Sequence, residues 1–236
     1  MKQLLVIDIE TVPQFTTYQH LPQQWQQLWC DKISKTMPET VSPEESYLQK
    51  ASILAEFGKV ICISTGVFYQ DKAMRWCFKL KSLSGDNESE ILTAFVDLVN
   101  TYSRLHKDFQ FAGHNIKEFD IPYLCRRMII NNITLPDYLQ LSGKKPWETN
   151  MMDTMQLWKF GDYKHFTSLK LLAACLGIPT PKDDMDGSMV REVYYEQKNL
   201  PRIVEYCQKD VVTVAQLLLR LKNLPLIPAS HIFIAE

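Results

Sequence analysis

The sequence predicts a single α/β domain with a three-stranded antiparallel start and a helical second half. Three observations carry that expectation. The chain opens on "LLVIDIETVP" (4–13), where four apolar residues in a row read as a strand buried on both faces. Two more strand-like runs follow, "GKVICISTGVFYQ" (58–70) and "AMRWCFKL" (73–80), joined by a tight turn near Gln70 and Asp71. From residue 86 onward the apolar spacing is mainly helical, and 236 residues with 46% hydrophobic and 22% charged side chains can bury a substantial core.

Between the first two strands lies an irregular excursion, residues 13–57, broken by Pro13, Pro22, Pro38 and Pro43. Within it, "PQQWQQLWCDKI" and "SPEESYLQKASILAEF" read as helices. The second opens with Ser42 as N-cap, Pro43 in the first turn and Glu45 three positions on. In "DNESEILTAFVDLVNTYSRL" (86–105), Ile91, Leu92, Phe95, Leu98, Val99 and Tyr102 share one face of a helix. "FQFAGHN" (109–115) is a short buried strand that breaks at Gly113, and "FDIPYLCRRMIINN" (119–132) is a helix ended by its Asn pair. "MMDTMQLW" (151–158) suits a short strand or a helix start. "TSLKLLAACLG" (167–177) is a helix with Thr167 as N-cap and Gly177 as its stop. Two further helices, 188–197 and 200–224, complete the chain before a tail from 223 to 236.

The charge balance, 26 basic against 27 acidic residues, excludes a uniformly basic nucleic-acid coat but permits a local basic groove. Six cysteines are scattered with no CxxC pair, which argues against a zinc or redox motif and for a reducing, cytoplasmic setting. No apolar stretch approaches the ~18 residues of a membrane helix.

The first strand ends in acids. Asp8 and Glu10 are two residues apart, so they point the same way, and two like charges at a buried strand end are costly without a cation between them. Other acids stand where a fold can bring them near: Asp120 after a buried strand and the loop bearing Asn115, and Asp210 four residues after Tyr206 on one helix face. Four carboxylates from separate segments suit Mg²⁺ or Mn²⁺, and two such ions roughly 3.5–4 Å apart clamp the attacking and leaving oxygens of a phosphodiester. Each residue alone has a plainer use: Asp8 and Glu10 as partners of Lys or Arg, Asp120 as a helix N-cap, Tyr206 as a core tyrosine.

The ordered set Asp8-x-Glu10, Asn115-xxx-Phe119-Asp120 and Tyr206-xxx-Asp210 resembles the three motifs of the DEDD superfamily of 3′→5′ exonucleases, tyrosine subclass. With "DIETVP", "GHNIKEFDIPYL", "SLKLLAACLGIP", "DGSMV" and "YCQKDVVTVAQL", the chain resembles predicted exonucleases similar to the proofreading domain of family B DNA polymerases. The match runs from residue 4 to about 222. The histidine subclass would need His five residues before the last Asp, and Glu205 is there instead.

The resemblance implies a ribonuclease H-like fold, a mixed central β-sheet flanked by helices; residues 13–57, longer than a minimal link between two strands, read as a helical insertion after the first strand. It implies a free-standing exonuclease that attacks the 3′ end of a single strand, DNA favoured over RNA, and releases nucleoside 5′-monophosphates. Asp8 would bridge two metals, Glu10 and Asp210 would complete the nucleophile-side ion, and Asp120 would hold the other. Tyr206 would orient the water, and Thr11, Asn115 and Phe119 would contact substrate. A catalytically silent nucleic-acid-binding module, an endonuclease of the same fold and an RNA-trimming enzyme remain alternatives.

Other residues have plain structural uses beside functional ones. The turn at 143–147 and the "YKH" run at 163–165 offer cations for a phosphate backbone or simply solvated loops. Phe15, Tyr18, Trp25 and Trp29 offer rings for base stacking, though two tryptophans at i and i+4 suit a packing face better. His114 reads as a buried, satisfied histidine. Asp153 and Asp186 resemble positions of the family, but Asp186-Gly187-Ser188 reads as a turn and helix cap. Asp162, Asp183 and Asp184 read as solvated loop charges.

Overall fold

Leu4–Pro13 forms the first strand, β1, and pairs antiparallel with β2 (Gly58–Gln70), which pairs antiparallel with β3 (Trp76–Ser84). The computed structural model describes residues 1–235 except 39, 146–147, 163–165 and 180–184. Three short strands extend the sheet in parallel: β4 (Gln110–Gly113) on β1, β5 (Met151–Asp153) on β4, and β6 (Ile232–Ile234) on β3. The order is β5-β4-β1-β2-β3-β6, a mixed six-stranded sheet.

Helices α1 (Gln23–Ile33) and α2 (Pro43–Lys50) lie between β1 and β2. Helix α3 (Glu88–Leu105) connects β3 to β4, and α4 (Asp120–Ile130) and α5 (Thr154–Lys159) stand before and after β5. Then come α6 (Leu169–Cys175), α7 (Val190–Tyr195) and α8 (Leu200–Leu221).

Alternation along β1 sorts its side chains between two cores. Leu5, Ile7 and Ile9 pack with Leu92 and Phe95 of α3 and Leu124 of α4. Leu4 and Val6 pack on the opposite face with Val211, Val214 and Leu218 of α8. Each such side chain contributes about 1.5–3 kcal/mol by leaving water, so a one-residue slip of β1 is strongly opposed. The same period carries Asp8 and Glu10 to the α8 face. At Gly66 of β2, a Cβ would lie 2.1 Å from Phe78 Cζ, so the missing side chain is what lets the Phe78 ring lie across β2.

The stretch between β1 and β2 has its own apolar cluster: Leu21, Trp29, Ile33, Tyr47, Ala51 and Phe57. Trp29 is fully buried, edge-on to Tyr47 and Phe57, and its Nε1 donates to Ser46 Oγ at 3.0 Å. It is a packing residue, as the helical spacing suggested. Trp25 stands edge-on to Phe57 and remains partly exposed.

Several boundaries differ from the sequence expectation. Helix α2 begins as read, with Ser42 Oγ accepting Glu45 N at 3.1 Å, but ends at Lys50, well short of residue 57. The cause is Ser52, whose carbonyl accepts both Thr11 Oγ1 and Tyr123 Oη and so leaves the helical path. Strand β3 starts at Trp76 because Asp71 Oδ1 takes the N–H groups of Ala73 and Arg75, widening the turn. Ser168, not Thr167, caps α6, with Gly177 at φ +63° as the stop. Asp186 caps the turn before α7 through Ser188 N at 2.8 Å. The segment 151–158 is both a strand and a helix start, and the stretch after α8 carries β6.

Candidate active site

The site forms along the second half of β1, where Asp8 and Glu10 stand beyond the end of its ladder with β4. Strand β4 stops at Gly113, and its ladder with β1 reaches only Val6, so the N–H of Ile9 lies beyond it. Asp120 fills that gap: its Oδ1 accepts Ile9 N at 3.2 Å across 111 residues. A buried N–H left unpaired would be costly, so this bond both caps the strand and brings the Asp120 carboxylate beside Asp8 and Glu10. Asp120 is the first residue of α4 rather than its N-cap, which is Phe119.

From the opposite side, α8 presents Tyr206, Cys207 and Asp210. The Cys207 thiol donates to Asp8 Oδ2 at 3.3 Å and lies 3.4 Å from the Asp8 carbonyl oxygen. Tyr206 hydrogen-bonds Asp210. Opposite Asp8 and Glu10 in the ladder stand Ser64 and Cys62 of β2.

The electrostatics are those of crowded, buried acids. Glu10 is 7% exposed and Asp120 4%. Burial pushes the Asp8 carboxyl well above the usual range, and the charges of Asp210, Glu10 and Asp120 push it further. Glu10 is raised likewise, by burial first and then by Asp210. Burial drives Asp120 up to about 7, against the lowering effect of the Ile9 N–H. Burial and the neighbouring acids Asp210, Glu10 and Asp8 hold the Tyr206 phenol far above its ordinary range, so it stays a hydroxyl donor. Among the described residues, no hydrogen bond reaches the Glu10 carboxylate. A hard divalent cation suits this donor set: carboxylate oxygens from three elements, mutually repelling and short of donors.

The sequence-picked residues therefore divide. Asp8, Glu10, Asp120, Tyr206 and Asp210 come together. Asn115 and Phe119 lie on the loop that leads into α4. Asn115 adopts φ +63°, a left-handed conformation that Asn tolerates, and its buried Oδ1 has no hydrogen-bond partner. Phe119 leans on Tyr123, ring centroids 5.4 Å apart. Thr11 is buried at the β1 end, its hydroxyl committed to Ser52 O at 2.9 Å. His114 is satisfied by Thr154 Oγ1 and Thr167 O, both at 2.9 Å, and burial lowers its pKa. Lys144 and Lys145 are exposed, whereas Pro146, Trp147, the 163–165 run, Asp183 and Asp184 lie outside the described residues.

Two contributors were not given roles by sequence reasoning. Cys207 adjoins Tyr206, but its approach to Asp8 spans 199 residues and depends on how α8 crosses the sheet. Asp153 is buried and caps α5 through Met155 N and Gln156 N. Its two oxygens also accept Asn115 N at 3.0 Å and Lys117 N at 3.1 Å. The Asp-Thr step before an apolar helical run was the available signal for the cap. Asp153→Ala is expected to cost about 2–3 kcal/mol in a denaturant melt, because it strands several N–H groups and frees the Asn115 loop. A change below 0.5 kcal/mol would contradict that role.

Among the described residues no helix is long and apolar enough to cross a membrane, and all six cysteines are free. No curated protein matches the chain. Among solved structures, the family B DNA polymerase from the hyperthermophilic archaeon Pyrobaculum calidifontis is similar, with TM-score 0.53 and 16% identity. The similarity covers 92% of this chain and 24% of the polymerase, so the chain spans about a quarter of that protein's length. With its mixed sheet and flanking helices, the chain has the ribonuclease H-like α/β fold that the motifs implied. A family model described as a predicted 3′→5′ exonuclease related to the exonuclease domain of PolB matches residues 52–225, most of the chain. The chain therefore belongs to the family of predicted 3′→5′ exonucleases related to the exonuclease domain of PolB.

Proposed function

We propose that this protein is a 3′→5′ exonuclease that hydrolyses single-stranded nucleic acid, DNA in preference to RNA, and releases nucleoside 5′-monophosphates. In this reading the 236 residues work as one exonuclease domain, with 13–57 as a helical insertion and 223–236 as a tail. The observation that carries it is the convergence of Asp8, Glu10, Asp120 and Asp210, acids up to about 200 residues apart, in one largely buried cluster.

Asp8 lies at the centre and would ligate two divalent ions, Mg²⁺ or Mn²⁺. Glu10 and Asp210 would complete the ion on the nucleophile side, and Asp120 the other. Bound there, the ions would acidify the attacking water and neutralise charge on the leaving oxygen. The chain's own groups do the positioning. Tyr206, fixed by Asp210 and kept protonated, offers its hydroxyl to orient the nucleophile. The unpaired Oδ1 of Asn115 can accept a donor from the terminal nucleoside, and the Phe119 ring offers a stacking face. Thr11, with its proton given to Ser52, has only lone pairs left for substrate.

The test is a labelled single strand incubated with Mg²⁺ or Mn²⁺, in matched DNA and RNA forms. A 5′ label should yield a ladder shortening from the 3′ end, and a 3′ label should yield mononucleotide at once. Internal fragments or cleavage of a circular strand would instead make it an endonuclease, and binding without cleavage would make it a silent module. Tyr206→Phe is expected to lower the rate about 10²–10⁴-fold, the range for a positioned proton-handling group, while leaving Mn²⁺ affinity in place. An unchanged rate would remove Tyr206 from the mechanism.

A further inference from the structure

We propose that Cys207 gives the site of Asp8 and Glu10 a soft donor, so that a thiophilic divalent cation of the zinc class binds there through one sulfur and two carboxylates. The inference rests on reading this cluster as a cation site, and it names a class of ion that oxygen-only sites do not favour.

Donor atoms of Asp8, Glu10 and Cys207 all lie within 4.8 Å of one another. Ligands bonded to one zinc-like ion at about 2.0–2.3 Å stand no farther apart than about twice that length, so only a small closure completes a three-ligand shell. Sulfur is already turned toward the carboxylates, since the thiol reaches Asp8 Oδ2 at 3.3 Å. Glu10 supplies an independent sign that a partner belongs here: its side chain is more than nine-tenths buried and accepts no hydrogen bond among the described residues. A carboxylate drawn this far from water without a hydrogen bond is costly, and a cation offsets that cost.

The choice of ion follows from ligand chemistry. Mg²⁺ prefers oxygen and retains its water, whereas Zn²⁺, Cd²⁺ and Co²⁺ accept sulfur readily. Coordination replaces the S–H bond with a sulfur–metal bond, and the proton leaves to solvent with no change of oxidation state. Helix α8 offers Cys207 and Asp210 from successive turns, so a soft ion at Cys207 would compete with the hard ions for Asp8 and Glu10.

Titration with Co²⁺, followed by near-ultraviolet absorption, tests this directly. A sulfur-to-cobalt charge-transfer band is expected in the wild-type protein and in Cys62→Ser, and its loss is expected in Cys207→Ser. The same change should weaken Cd²⁺ binding at least about tenfold, with Mn²⁺ affinity little altered. X-ray absorption on the Cd²⁺ complex of the wild-type protein reads the sulfur neighbour without any substitution. Bound Co²⁺ with no such band, a band that survives in Cys207→Ser, or a cadmium shell lacking sulfur would overturn the inference. If Mn²⁺ binds and strands are cut while those sulfur signals are missing, the exonuclease reading stands alone. If no divalent ion binds at all, both fall.

Discussion

Asp8→Ala is expected to abolish nucleotide release, with a loss of at least about 10³-fold in rate, while making the metal-free protein more stable at pH 8. The two effects share one cause. Asp8 is pressed by burial and by Asp210, Glu10 and Asp120, so its charge is unfavourable until a cation neutralises it. The pH dependence has a definite sign. Asp120 is raised from an ordinary 3.8 to about 7, and Asp8 and Glu10 are raised as well. Raised carboxyl groups contribute stability in full below about pH 4, and that contribution is lost as pH climbs through about 7. The metal-free wild-type protein should therefore melt at lower temperature at pH 8 than at pH 5. Mn²⁺ should restore the midpoint at pH 8 by roughly 2–4 °C for each kcal/mol recovered. Asp8→Ala should flatten the pH profile and blunt the response to Mn²⁺. Thermal melts at the two pH values, with and without Mn²⁺, decide it; a wild-type protein most stable at pH 8 without metal would refute the charge-crowding account.

The second large effect lies away from the chemistry, at Arg127 on α4. Its Nε and Nη2 donate to Glu88 Oε1 and Oε2 at 2.9 and 2.6 Å, and its Nη1 reaches Ala55 O at 2.8 Å. Glu88 also accepts Val60 N at 2.7 Å and Asn131 Nδ2 at 2.9 Å. Both side chains are over nine-tenths buried. Arg127→Met removes one member and leaves the Glu88 carboxylate buried without its counter-charge, which costs about 3–5 kcal/mol. The midpoint should fall by roughly 6–20 °C. Replacing both partners, Glu88→Gln with Arg127→Met, should recover part of the loss because no unpaired charge remains. Since Arg127 ties α4 to α3 and to the segment before β2, the single variant should also lower activity near its melting point by loosening Asp120. Equal stability of the single variant and the wild type would show the pair to be dispensable.

How much of this was legible in the sequence depends on the range of the interaction. Strand β1 and its acids could be read because an apolar run and a two-residue alternation are local facts. Helix α3 was read nearly to its ends for the same reason, although its cap, Asn87, was found only in the structure. Asp120 and Asp210 were visible only as acids in suitable places; their meeting with Asp8 needed the ordered motifs, since nothing local shows that Asp120 caps Ile9 N. The thiol of Cys207 and the bonds of Asp153 to Asn115 N and Lys117 N stayed hidden because their partners lie far away in sequence. Strands β5 and β6 are three residues each and exist by pairing with β4 and β3, so their own residues carry little pattern. The end of α2 was missed because the hydroxyls of Thr11 and Tyr123 set the course of Ser52.

Acids from β1, α4 and α8 are proposed to hold divalent metal for phosphodiester hydrolysis. The most direct test is anomalous diffraction from crystals soaked in Mn²⁺. Two peaks are expected, one among Asp8, Glu10 and Asp210 and the other between Asp8 and Asp120, both absent in Asp8→Ala. Saturating Mn²⁺ with no peak at these carboxylates, or peaks only elsewhere on the molecule, would contradict it.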